Sequence, residues 1–275
     1  MNGADLLCET LLANDVDVCF ANPGTSEMHF VAALDRQPRM RCILGLFEGV
    51  LTGAADGYAR MADKPAATLL HLGPGLANGL ENLHNARRAH TQIINVVGDH
   101  ATYHLMHDAP LTSDIDSLAW PMSQWVGRAA TSDTVGTKTQ EAIKAARANS
   151  GQIATLILHA DAAWTETSMA KPAPLSPHVP QAPDAERIRD AADALRAGKR
   201  TTILVTGLAL RAPQMELLDQ IAAKTGARLM AQQSNARIQR GAGRVAIERV
   251  RSCRTGALGR GPYWRIQEQL CRDAC

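Results

Sequence analysis

The sequence predicts an α/β fold: a parallel sheet flanked by helices, followed by an incomplete second α/β domain. Three observations predict it. Short β-favouring runs, apolar throughout, recur from residue 3 to about 160. Alanine-rich segments of helix length separate them, and glycine or polar residues collect where a run ends and the next helix begins. Strands that are apolar on both faces are the pattern of a parallel sheet covered on both sides. Their alternation with helices implies right-handed crossovers.

Taken in order, the runs are Val16–Phe20, Arg41–Leu46, Ala66–His71, Ile93–Val97 and Ile153–Leu158. Helical spacing marks Ala4–Ala13, Ser26–Asp35, Gly49–Met61, Leu76–Arg88 and Thr139–Asn149. The longest irregular stretch is His100–Ser117, and loops of that length in compact domains are usually functional. These elements form a first domain over residues 1–165. A linker at 166–183 holds Pro172, Pro174, Pro177, Pro180 and Pro183, which favour an extended, semi-rigid spacer. A second unit at 184–250 then begins with a helix at Asp184–Ala197, a strand at Thr201–Val205, a helix at Pro213–Thr225 and a strand at Arg228–Ala231. Gly207 and Gly226 punctuate it. Residues 251–275, with five Arg, three Cys and no period, read as an atypical tail, the product of a shifted reading frame that ended a longer gene product.

Composition narrows the function classes. The 275 residues carry 29 Lys+Arg against 27 Asp+Glu, a net charge of +2, which argues against a nucleic-acid binder. Aromatic residues are only 4%, so base-stacking platforms are not expected either. The first 20 residues are interrupted by Asp5, Glu9, Asp15 and Asp17 and lack a basic lead-in, unlike a signal peptide or membrane span. A soluble, cytoplasmic protein without membrane partners is the expectation. None of the six cysteines makes a Cys-x-x-Cys pair, and Cys8, Cys19 and Cys42 sit in apolar segments as small hydrophobes. Reduced thiols are expected.

Four segments place polar or glycine-rich residues at the strand-to-helix edge, where open parallel sheets bind ligands. Asn22-Pro23-Gly24-Thr25-Ser26-Glu27 alone reads as a turn and helix cap. Glu48 ends an apolar strand and opens a helix crowded by Gly49, Gly53 and Gly57. Each interior glycine costs roughly 1 kcal/mol relative to alanine, so a close packing contact is expected there. A carboxylate in that setting needs a partner or a proton to share. His71-Leu72-Gly73-Pro74-Gly75 departs from the dinucleotide spacing, and a His at this edge suits proton transfer. Gly98-Asp99-His100 opens the loop holding His104 and His107, for which no third metal ligand stands out.

In this order, NPGTSE, LGLFEGVLTGAADGYAR, LLHLGPGLANGLENLHNARRAH and IINVVGDHA resemble the N-terminal pyrimidine-binding domain of thiamine-diphosphate-dependent enzymes. The group is that of acetolactate synthase large subunits and benzoylformate decarboxylase. The resemblance covers residues 1–165 and, weakly, the start of the family's central domain at 184–250. It implies that Glu48 hydrogen-bonds the cofactor's aminopyrimidine and favours the imino tautomer, which takes the thiazolium C2 proton to give the ylid. It implies that Ser26 and His71 face the substrate carboxylate and the proton-transfer step, that Pro23 and Gly24 line the pyrimidine pocket, and that Asn78 lies beside them. Catalytic roles thus fall on Glu48, His71 and Ser26, and cofactor contacts on Pro23, Gly24, Glu48 and Asn78.

The implied reaction is 2-oxo acid decarboxylation or carboligation, with thiamine diphosphate as cofactor and only its pyrimidine half held by this chain. The polar pattern around His71 agrees better with the decarboxylase branch. Mg²⁺ belongs to the family, yet the Gly-Asp-Gly segment that anchors it is missing, since Gly98-Asp99 runs into His100. Three readings follow: a C-terminally truncated enzyme inactive alone, one subunit of a split enzyme, or a non-catalytic module that pairs with full-length relatives. Homo-oligomers, or pairing with a chain carrying the diphosphate domain, are the expected partnerships. Tight binding of the cofactor by this chain alone is not expected.

Overall fold

Six parallel strands, ordered β2-β1-β3-β4-β6-β5, carry the first domain in a computed structural model that describes residues 1–171, 173–176, 182–198 and 201–250. Pro172, Pro177 and Pro180 of the linker, and the tail 251–275 with Cys253, Cys271 and Cys275, lie outside the described residues. Along the chain run α1 (Gly3–Ala13), β1 (Val18–Asn22), a 3₁₀ turn (Thr25–Glu27), α2 (Met28–Arg36), β2 (Arg41–Leu44), α3 (Glu48–Ala62), β3 (Ala66–Leu70) and α4 (Leu72–Ala89). They continue with β4 (Ile93–Asp99), a 3₁₀ turn (Thr102–His107), α5 (Ile115–Ala119), β5 (Trp125–Ala129), α6 (Ser132–Arg147), β6 (Ile153–His159) and α7 (Ala160–Trp164).

The central strands β3, β4 and β6 are buried at every residue, so alternate side chains feed two separate cores. Ala67, Leu69, Ile94 and Val96 face Leu7, Leu11, Phe30 and Ile143 of α1, α2 and α6. Ala66, Leu70, Ile93 and Val97 face Leu51, Leu76 and Leu83 of α3 and α4. Inside the sheet, Thr68 donates to Asn95 (2.8 Å), Asn95 donates to Thr155 (3.1 Å), and Thr155 meets Ser123 (2.7 Å). Each buried polar group is thereby satisfied. α1 starts on a capping box in which Asn2 accepts from the Asp5 N–H and Asp5 accepts from the Asn2 N–H.

Three sequence expectations differ in detail. β5 was not expected: Gly127 and Arg128 break its apolar run, because the strand lies at a sheet edge and is only half-buried. β2 is the opposite edge, so Cys42 is exposed instead of packing as a small hydrophobe. The Gly73-Pro74-Gly75 segment is the first turn of α4, not a loop preceding it, and part of the long stretch after His100 is helical.

A second, smaller sheet, β7-β8-β9, is also parallel. Its elements are α8 (Ala185–Arg196), β7 (Thr202–Val205), a 3₁₀ turn (Gly207–Leu210), α9 (Ala212–Thr225), β8 (Arg228–Ala231) and β9 (Glu248–Arg249). Val205, Leu210, Met215, Leu229 and Ala231 form its core. Pro213 sits in the first turn of α9 and Gly226 closes it in the left-handed conformation. No helix among the described residues is long and apolar enough to cross a membrane.

Candidate active site

The C-terminal ends of β1, β2 and β3 stand side by side, so the segments that follow them meet at one edge. Glu48 opens α3 and is 7% exposed. Its two carboxylate oxygens are taken by separate amides: Asn22 at the end of β1 donates to Oε1 (2.9 Å), and Asn78 in α4 donates to Oε2 (3.0 Å). The carboxylate is therefore held by neutral donors from two neighbouring elements, with no cation paired to it among the described residues. A Cβ on Gly75 would lie 3.2 Å from Oε1, so the bare backbone there leaves room beside the acid. A buried carboxylate oriented by amides, with a glycine surface next to it, fits a weakly basic ring needing one acceptor at a fixed place.

His71 caps α4, and Leu72 directly after it has φ +46°, an uncommon conformation for a non-glycine residue. Such strain costs about 1–3 kcal/mol and is tolerated where surroundings fix the backbone. Nδ1 of His71 lies 2.7 Å from Oε2 of Glu27, and that oxygen also accepts from the Gly24 N–H (2.7 Å). Gly24 admits this arrangement because a Cβ there would come within 2.3–2.5 Å of the His71 ring. With Nδ1 engaged, Nε2 of His71 has no partner among the described residues. The half-buried Ser26 hydroxyl is likewise free among them. Pro23 is half-buried in the same turn.

Glu27 is the residue that sequence reasoning passed over. Its motif reads as a helix start, and the backbone does use it so: Glu27 accepts from Gly24 three residues before it, half of a capping box. What no local pattern reveals is the contact with His71, which lies 44 residues further on. Glu27 is 3% exposed and its Oε1 has no hydrogen-bond partner among the described residues. Burial pushes its carboxyl above the usual range, outweighing the Gly24 N–H and the His71 ring, which pull it down. The folded state thus favours protonated Glu27, a contribution complete below the ordinary glutamate range and lost as pH rises through the folded value. Replacing Glu27 by Gln keeps an acceptor for Gly24 and removes the ionisation. Thermal unfolding should show the variant gaining on the parent protein as pH rises above the ordinary glutamate range, and a pH-independent difference would contradict the assignment.

Gly98-Asp99 offers no metal anchor. Asp99 is buried at the end of β4, with Oδ2 bound to Arg128 (2.7 Å) and Oδ1 accepting from the His100 N–H (2.8 Å). The rings of His100, His104 and His107 follow one another at 5.9 and 5.7 Å. Among the described residues no group of three or more His, Cys, Asp or Glu side chains is placed to hold a metal ion. Beside Glu48, the side chains of Leu44, Leu46, Phe47 and Val50 are exposed. That apolar strip adjoins the acid directly.

Residues 1–119 match the thiamine pyrophosphate enzyme family, N-terminal TPP binding domain. A Mycobacterium tuberculosis protein provisionally named acetolactate synthase large subunit IlvX is 52% identical over 257 residues, 94% of this chain and 49% of that protein. Benzoylformate decarboxylase of Pseudomonas aeruginosa is 32% identical over 139 residues, 50% of this chain and 26% of the enzyme. An X-ray structure from Mycobacterium smegmatis, provisionally described as a thiamin diphosphate-dependent enzyme, superposes with a TM-score of 0.78 at 26% identity. It covers 85% of this chain and 44% of its own. The chain spans about half the length, or less, of these relatives.

Proposed function

We propose, from the match of residues 1–119 to the N-terminal TPP binding domain of thiamine pyrophosphate enzymes, that this chain supplies the pyrimidine-facing half of a thiamine diphosphate site in a 2-oxo acid decarboxylase or carboligase. The observation that carries this reading is the buried Glu48 carboxylate, fixed by Asn22 and Asn78 and paired with no cation among the described residues. Bound thiamine diphosphate supplies the electron sink that 2-oxo acid chemistry requires.

This chain's own residues then divide the work. Glu48 would contact the cofactor's ring and accept or return a proton at its carboxylate, whose shielding from water favours exchange with a weak base. Asn22 and Asn78 hold it in one orientation. His71, positioned through Nδ1 by Glu27, presents Nε2 as the proton donor or acceptor toward substrate. The Ser26 hydroxyl and the His71 ring provide polar contacts for a substrate carboxylate, with Pro23 and Gly24 forming the turn beside the pyrimidine.

In this reading a partner chain carrying a diphosphate-binding domain supplies the diphosphate and Mg²⁺ half, and the exposed strip Leu44, Leu46, Phe47 and Val50 next to Glu48 supports pairing at this edge. Mixing the full chain with a relative's diphosphate-binding chain, thiamine diphosphate and Mg²⁺ tests the reading. Cofactor-dependent CO₂ release from pyruvate or benzoylformate is expected. Absence of both complex formation and CO₂ release would refute it.

A further inference from the structure

Away from Glu48, a cleft of about 800 Å³ opens between the C-terminal halves of α3 and α4 and the loop that follows β8. That volume lies within the ordinary range for small-molecule sites, about 300–1,000 Å³. The lining is polar and basic: Arg60, Arg88, Arg249 and His84 face it, with Gln233 and Asn235 from the loop. Asp56 is the one carboxylate among the lining residues, and Arg60 holds it with two parallel hydrogen bonds of 2.8 and 2.5 Å. Arg88 and Arg249 have no hydrogen-bond or ion-pair partner among the described residues. No Phe, Tyr or Trp side chain is among the residues lining the cleft.

A separate feature shapes the walls. Asp63, the left-handed cap of α3, accepts from Arg211 (Nε 2.9 Å, Nη2 2.5 Å) and from Arg237 (Nη2 2.6 Å). Arg237 also donates to the Met61 carbonyl at 2.7 Å. This clamp fixes the loop carrying Gln233 and Asn235 against the end of α3. It also neutralises the carbonyl end of that helix, which otherwise repels an anion. Gly57 completes the opening. The sequence implied a close packing contact at each glycine of α3, yet a Cβ on Gly57 would meet nothing within 4 Å.

We propose that this cleft is a binding site for a small, multiply charged, phosphate-bearing ligand, held by Arg60, Arg88 and Arg249 and distinct from the cofactor half-site at Glu48. Guanidinium groups are suited to phosphate through paired N–H donors. The amides of Gln233 and Asn235 supply hydrogen bonds to a polar remainder. Asp56 keeps Arg60 in place, as a carboxylate behind a phosphate-binding arginine does.

Calorimetric titration of the full chain with pyrophosphate at constant ionic strength tests this. Saturable one-site binding is expected, weakened at least about tenfold by Arg88→Ala or by Arg249→Ala, because each removes a charge-assisted contact. Both side chains are exposed, so the fold survives either change, and circular dichroism confirms it for each variant. Thiamine, which carries the pyrimidine but no phosphate, should not displace pyrophosphate. Citrate at equal charge should bind more weakly; equal binding would mean a site for anions in general and would overturn the phosphate assignment. Non-saturable heats, displacement by thiamine, or unchanged affinity in both arginine variants would also overturn it.

Discussion

Exchanging Glu48 for Gln is expected to lower cofactor-dependent turnover of a 2-oxo acid by about 10²–10⁴-fold, the range that positioned acid–base groups contribute. The measurement is kcat in the complex with a chain that supplies the diphosphate half. The fold should persist, because the substitution keeps the side-chain length and the packing beneath it. Its structural cost is confined to two places. The charge at the first turn of α3 disappears, a loss of about 0.3–1 kcal/mol against the helix dipole. The amide also offers one acceptor where the carboxylate offered two, so either Asn22 or Asn78 faces a donor. Asn78 is exposed and can rotate to present its oxygen. Thermal unfolding should therefore move little while kcat collapses. Turnover within about threefold of the parent would remove Glu48 from proton transfer and, with it, the observation on which the functional reading stands.

How much of this was legible in the residues depends on where each element lies. β3, β4 and β6 are central, and burial on both faces leaves unbroken apolar runs such as Ala66–Leu70 and Ile153–Leu158. Edge strands obey a weaker rule. β5 tolerates Arg128 because that side chain reaches Asp99 at the end of β4 and Asp116 in α5, an ion network joining residues up to 29 apart. β2 looks like a core strand in sequence, and only the strand order reveals that Leu44 and Cys42 are exposed. Strand order is a tertiary fact, fixed by which helices cover which face, and local patterns do not encode it.

The site divides along the same line. Glu48, His71 and Gly24 stand out because their residue types are costly or unusual at a strand-to-helix junction. Asn22 and Glu27 do not, because each also satisfies an ordinary local role. Asn22 ends a strand, and Glu27 belongs to a helix start. Their second roles, toward Glu48 and His71, depend on neighbours 26 and 44 residues away. The positioning groups of this edge are therefore hidden in residues whose local explanation is already sufficient.

Gly98→Ala should expose that hidden support, destabilising the chain by about 3 kcal/mol, the upper part of the range for overpacking a buried position. In an open strand the same change would be mildly favourable, since alanine restricts the unfolded chain by about 0.4–1 kcal/mol more than glycine does. The sign is decided by what the new methyl meets. A Cβ at Gly98 would lie 1.7 Å from Oε1 of Glu27, 2.5 Å from its Cδ and 2.7 Å from its Cγ. Glu27 is no mobile tip: it is buried, and its other oxygen is held by the Gly24 N–H and by His71. Relief requires the whole carboxyl to move, which breaks both bonds and frees the His71 ring. Urea denaturation measures the loss, and the imidazole resonances of His71 report the broken contact through changed chemical shifts. A double-mutant cycle separates this cause from general strand damage. Shortening Glu27 to Ala removes the obstacle, so Gly98→Ala added to Glu27→Ala should cost far less than Gly98→Ala alone. Strict additivity would mean that Gly98 is needed for the strand itself and that Glu27 does not depend on the space above it.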